Sequence, residues 1–167
     1  MENAPNRIIW HHSAVQSKKH QAAGINNSHR TRGFPKSSLG FYGGYHLLIE
    51  RDGSVFRFRN DNEIGAHDSG ENINSLGICL AGNFSLELPN KAQVATLTPL
   101  LRGWMQKYGI SAERIDPHRM GDSTECPGKL LPDNWAANLL RPNPNQLLQT
   151  TLDDIIRFVE AKRDATH

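Results

Sequence analysis

Short apolar runs alternate with polar stretches punctuated by Gly and Pro along the chain, the pattern of strands and helices joined by loops. Arg7–Trp10 (RIIW) is an apolar run of strand type that breaks off at His11-His12-Ser13. Tyr45–Glu50 and Ser54–Arg59 flank Arg51-Asp52-Gly53, and Asp-Gly between two such runs predicts a hairpin. In the second run Val55, Arg57 and Arg59 alternate with Phe56 and Phe58, as on a half-buried strand. Ser75–Ala81 (SLGICLA) is nearly continuous in apolar character, which predicts a central strand covered on both faces. Lys91–Tyr108 reads as an amphipathic helix, with Val94, Leu97, Leu101 and Trp104 on one stripe and Gly109 placed to end it. A short strand at Arg114–Asp116 and a short helix at Asn134–Leu140 follow. Part of Gln16–Thr31 is expected to form a polar, solvent-facing helix, while Gly33–Gly44, Asn60–Asn74 and His118–Pro132 read as loops.

Pro142-Asn143-Pro144-Asn145 marks a linker, which divides the chain into a domain over residues 1–141 and a C-terminal segment over 142–167. In that segment Leu152, Ile155, Ile156 and Val159 form one apolar stripe at helical spacing, with Thr151 and Asp154 as an N-terminal cap. Such a helix packs on its own domain or contacts a partner, self-association included.

Composition narrows the function classes. The chain has 167 residues, 37% hydrophobic and 22% charged, which is ordinary for one globular domain. No apolar run approaches the ~18 residues that span a bilayer, so no integral membrane segment is expected. The opening MENAPNRIIW lacks a basic segment followed by an apolar stretch, which predicts no secretory signal and synthesis in the cytoplasm. A net charge of +2 argues against a dedicated nucleic-acid binder. Two cysteines, Cys79 and Cys126, do not make a disulfide framework, and Cys79 reads as a core residue.

The candidate chemistry lies in the histidines. His118 and Cys126 share a loop as His-x7-Cys, and His11 ends the first strand. Two imidazoles and a thiolate form a ligand set typical of catalytic zinc, with the fourth position left to water, and the soft thiolate disfavours magnesium or calcium. By itself the pattern is weak. A Cys buried under the loop beside two surface histidines satisfies it equally, and His12 is near enough to close a structural zinc site. A copper electron-transfer site, prompted by Met120, fails because no His follows Cys126 before His167.

Longer blocks resolve the ambiguity by resemblance. Ile9-Trp10-His11-His12-Ser13-Ala14 resembles the first metal-ligand strand of the zinc-dependent N-acetylmuramoyl-L-alanine amidases, the superfamily of phage lysozyme-type amidases and animal peptidoglycan recognition proteins. Gly44–Ile49 with Arg51–Val55 is similar to their Gly-Tyr-His/Asn hairpin. Gly65-Ala66-His67, Asn74–Leu80 and Gly82-Asn83-Phe84 resemble the central strand and its approach. Pro117–Arg119 through Ser123–Gly128 resembles the second metal-binding loop, so four blocks in family order cover roughly residues 7–140.

The resemblance implies a mixed α/β fold, a central sheet flanked by helices with a zinc cleft at one edge. It implies hydrolysis of the amide between N-acetylmuramic acid and L-alanine in peptidoglycan. His11, His118 and Cys126 match the ligands of a single zinc ion, and Tyr45 matches the tyrosine facing the metal-bound water. Thr124 stands where catalytic recognition proteins usually carry Thr and phage lysozyme-type members usually carry Lys. The thiol at 126 departs from the Asp used by cytoplasmic recycling amidases, and receptors of the superfamily typically lose this Cys. His67 is expected to line the cleft, contacting substrate or shaping the pocket, and Arg59 matches an arginine that contacts a stem-peptide carboxylate in some recognition proteins. The following Asn60-Asp61 departs from their residue pairs, which leaves stem preference open. His46 and His12 are expected on the sheet faces opposite Tyr45 and His11, as structural residues. A chain of this kind suits a phage or prophage endolysin that reaches the wall after release. A non-catalytic receptor and an intracellular recycling enzyme are the rivals.

Overall fold

The computed structural model describes residues 2–141 and 155–157. Strand β1 (Arg7–His12) lies between β4 (Ser75–Leu80) and β5 (Ile115–Pro117), parallel to both. β2 (Leu47–Ile49) runs parallel to the other side of β4, and β3 (Val55–Arg57) adds antiparallel to β2. The result is a mixed five-stranded sheet in the order β3-β2-β4-β1-β5. The Ser75–Ala81 run is therefore central, as its apolar character predicts, and all six residues of β4 are buried.

Alternation along the strands divides the core into two layers. Ile8, Trp10, Leu47, Ile49, Leu76, Ile78 and Leu80 face helix α2 (Lys91–Tyr108), which presents Leu97, Leu101 and Trp104. Burial of each such side chain contributes roughly 1.5–3 kcal/mol before entropy is counted. Leu48, Phe58, Cys79 and Ala81 face the other way, toward Ala22 and Ile25 of helix α1 (Ala22–Thr31). Both layers are thus fixed by the period of two in β1, β2 and β4.

The helix ends have local causes. Asn90 and Gln93 form a capping box at the start of α2. Gly109, at φ 66°, ends it in a left-handed conformation that a Cβ would strain. Helix α1 carries no acidic residue in its first turn. Instead the buried Glu50, at the end of β2, accepts hydrogen bonds from the backbone N–H groups of Gln21 and Ala22 at 2.8–2.9 Å. One turn of α-helix, α3 (Trp135–Asn138), packs its Trp135 ring 5.1 Å from that of Trp10.

Two expectations are corrected. The last strand begins one residue late, because Arg114 closes a 3-10 turn over Ala112–Arg114, and it extends to Pro117. The edge position of β5 tolerates that proline. The alternation assigned to Ser54–Arg59 ends at Arg57, and Arg59 turns inward to 3% exposure. His46 behaves as expected of a structural residue: fully buried, its Nδ1 accepts from Gly77 N–H at 2.9 Å and its Nε2 lies 2.9 Å from Glu63 O. The linker at Pro142–Asn145 and the cap at Thr151–Asp154 lie outside the described residues, as do Leu152 and Val159. Residues 155–157 are helical, with Ile155 and Ile156 exposed.

Candidate metal centre and cleft

The two parallel strands β1 and β5 end side by side, and ligands gather beyond the carboxyl ends of such strands. His11 is the fifth residue of β1, on the α1 face of the sheet beside Cys79. His118 follows β5 directly and opens a 3-10 turn over His118–Met120. Cys126 returns in the same loop, where its carbonyl accepts from Arg119 N–H at 2.9 Å. One nitrogen of His11, one of His118 and the Cys126 sulfur all lie within 4.8 Å of one another. Sequence separation had given no reason for this meeting beyond the resemblance.

The donor set fits zinc. Zn–N near 2.0–2.1 Å and Zn–S near 2.3 Å in a tetrahedron put nitrogen and sulfur about 3.6 Å apart, and Cys126 Sγ lies 3.8 Å from His11 Nδ1. The opposite ring nitrogens are both engaged. His11 Nε2 lies 3.1 Å from His67 Nδ1, and His118 Nε2 lies 3.1 Å from Asp122 Oδ2. With the protons on Nε2, each ring leaves Nδ1 as a lone-pair donor. His67 Nε2 lies 3.4 Å from Ser75 Oγ, whose hydroxyl donates to Glu71 O at 2.7 Å, so a directional relay fixes the His11 tautomer.

Protonation agrees with this arrangement. Burial first, then the neighbouring imidazoles, holds the His11 pKa well below its ordinary value and keeps the ring neutral. Burial likewise pushes the Cys126 thiol up to about 11, so it becomes a ligand only when a cation replaces its proton. His12 points to the other face, as expected, with Nδ1 accepting from Phe84 N–H at 3.0 Å. Among the described residues it is not part of the cluster formed by His11, His118 and Cys126, so it does not close that site as a fourth ligand.

A surface cleft of about 500 Å³ opens over Cys126 and His118, with Tyr45 and Thr124 on its wall. The Tyr45 ring lies 4.9 Å from that of His11, centre to centre. Burial raises the Tyr45 pKa well above 10.0, so its hydroxyl is a hydrogen-bond donor at neutral pH. Thr124 Oγ1 accepts from Cys126 N–H at 3.2 Å, which leaves its own proton to donate outward. Ala14 also lines the cleft and holds a left-handed φ of 56°, a strained value for alanine.

The remaining expected site residues lie elsewhere. His67 is buried behind His11, and its ring covers Gly77 of β4 so closely that a Cβ there would sit 2.4 Å from His67 Cδ2. It lines a neighbouring depression with Arg32, Phe34 and Asp68 rather than the main cleft. Arg59 gives its guanidinium to three backbone carbonyls, those of Gly43 at 2.8 Å, Ile64 at 3.3 Å and Pro35. Three of its five donors are thus held inside the protein, where they tether the loops that carry Pro35, Gly43 and Ile64. Asp122 was missed by sequence reasoning, although its position four residues after His118 was the available signal. Asp68 was missed as well, and no local pattern marks it.

Comparison with known proteins agrees with this architecture. The family model described as N-acetylmuramoyl-L-alanine amidase matches residues 1–129. Peptidoglycan-recognition protein SC2 of Drosophila melanogaster is 34% identical over 130 residues, 77% of this chain and 71% of that protein. The endolysin of Enterobacteria phage T3 is 35% identical over 107 residues, 58% of this chain and 66% of the endolysin. The solved structure of N-acetylmuramoyl-L-alanine amidase LysC from Clostridium intestinale superposes with a TM-score of 0.68 at 34% identity, covering 78% of this chain and 80% of that one. A five-stranded mixed sheet between helices and a match over residues 1–129 lead to one conclusion: the chain belongs to the N-acetylmuramoyl-L-alanine amidase family.

Proposed function

We propose that this protein is a zinc-dependent hydrolase that cleaves the amide between the lactyl group of N-acetylmuramic acid and L-alanine in peptidoglycan. We propose further that it acts as an endolysin, reaching the wall after release from the cell. The observation that carries the reading is the convergence of His11, His118 and Cys126 within 4.8 Å. That cluster lies under an open cleft that also holds Tyr45 and Thr124. Similarity to a phage endolysin and to the LysC amidase supports the substrate and the setting.

His11, His118 and Cys126 would hold the ion. Zinc bound there supplies Lewis-acid polarisation of a carbonyl and a water whose pKa falls to about 7. The protein's own residues account for the rest. Tyr45, uncharged at neutral pH, donates a hydrogen bond to negative charge developing on the scissile carbonyl oxygen. Thr124 contributes a second, neutral donor, with its oxygen already anchored by Cys126 N–H. His67 and Asp122 keep the two imidazoles turned with their lone pairs inward.

The test pairs zinc content with release of soluble stem peptides from purified cell walls, for the native chain and for Cys126→Ser. The native chain binds one zinc ion and releases peptide. Cys126→Ser keeps its fold and loses at least ~100-fold of the activity. Full activity in Cys126→Ser overturns the ligand assignment. Zinc binding with wall retention and no release makes the protein a receptor instead.

A further inference from the structure

Behind the proposed metal site lies a second group of polar side chains. A carboxylate oxygen of Asp68, one of Asp122 and a ring nitrogen of His118 all lie within 4.8 Å of one another. The two carboxylates are in different situations. Asp122 is partly exposed, accepts from Ser69 N–H at 3.1 Å and faces His118 Nε2. Asp68 is 2% exposed, and both of its carboxylate oxygens are buried without a hydrogen-bond partner. Room for it depends on Gly121, where a Cβ would come within 2.8 Å of Asp68 Oδ2.

An ionised carboxylate buried without partners is costly, and folded chains avoid it unless a cation compensates. The compensating charge is available one imidazole away. Two neutral histidines and a thiolate leave a divalent ion with one positive charge in excess, and coordination at Nδ1 passes part of that charge to the far side of the ring. We infer that Asp68 and Asp122 are positioning residues beside His118, Asp122 through its hydrogen bond to the ring and Asp68 as a buried, unpartnered carboxylate that the bound metal stabilises. The inference rests on the zinc reading above and deepens it: metal occupancy and the Asp68 charge stabilise each other.

This coupling has a signature that an ordinary structural residue lacks. Asp68→Asn removes a liability from the metal-free protein and an asset from the loaded one. The metal-free Asp68→Asn chain melts at the same temperature as the native chain or above it. Its zinc affinity, measured by competition with a chelator, falls about 10- to 100-fold. Asp122→Asn lowers zinc affinity over the same range without the gain in metal-free stability, since its carboxylate is hydrogen-bonded and partly exposed. Unchanged zinc affinity in Asp68→Asn overturns the inference, as does a metal-free chain that is destabilised or fails to fold. A second equivalent of calcium that binds the native chain and is lost in Asp68→Asn also overturns it, in favour of a separate cation site. If the native chain binds no zinc, the proposed function falls and takes this inference with it. One bound zinc with both variants unaffected sinks this inference alone.

Discussion

Replacing Arg59 by methionine keeps the aliphatic stem and removes every donor of the guanidinium. Three backbone carbonyls, those of Pro35, Gly43 and Ile64, then lose a charged partner in a site only 3% exposed. A hydrogen bond from a charged donor contributes about 1.5–3 kcal/mol, which sets a gross loss of roughly 4–9 kcal/mol. Relief of the desolvation of the guanidinium offsets part of this, and burial is what lowers its pKa. The net cost is on the order of 3 kcal/mol, or roughly 10 °C in melting temperature for a domain of this size. Thermal unfolding followed by circular dichroism measures it, with KM for wall peptides that carry diaminopimelate or lysine recorded alongside. The expected result is a large fall in melting temperature with KM unchanged in the surviving folded protein. An unchanged melting temperature with KM raised for one stem type refutes the tethering role and restores the substrate contact.

Acid should unfold the protein through its buried histidines. Burial holds the pKa of His12, His29 and His46 down to about 4 from 6.5. Their contribution to stability is full above 6.5 and is lost as pH falls toward 4, on the order of 3 kcal/mol for the deeply buried His46 and less for the more solvent-screened His12 and His29; a melting temperature that stays flat across that window contradicts this. Metal uptake should expel a proton from Cys126, whose thiol pKa stands at about 11. Calorimetry at pH 8 in buffers of different ionisation heat is expected to show nearly two protons released per ion, about one from the thiol and most of one from a bound water of pKa about 7, and a release of one or fewer means that the sulfur is not a ligand. Gly77→Ala should push the His67 ring off β4 and weaken zinc binding about tenfold or more through His11. Unchanged affinity in that variant removes His67 from the support of His11.

Helix α2 was legible to the residue because spacing and Gly109 act locally, and the burial of Leu97, Leu101 and Trp104 follows from the same stripe. The Ser75–Ala81 run announced its central place because a strand covered on both faces has no polar side to show. Arg59 was misread because alternation predicts a face only while the strand lasts, and the chain leaves the sheet after Arg57. The candidate ligands were legible by resemblance, since His11 and Cys126 are brought together only by the tertiary fold. The block around His67 marked its neighbourhood but not its partner, since the pairing of its ring with His11 arises only in the folded chain. Asp68 reaches His118 only because the loop over residues 60–74 folds against the one over 118–132, where Ser69 N–H donates to Asp122. No periodicity encodes such an apposition.

Mass spectrometry of sacculi digested by the zinc-loaded protein tests the central claim most directly. The account predicts intact glycan strands bearing free lactyl carboxyls, together with stem peptides that begin at a free L-alanine amine. New reducing sugar ends, or peptides cut within the stem, would contradict it.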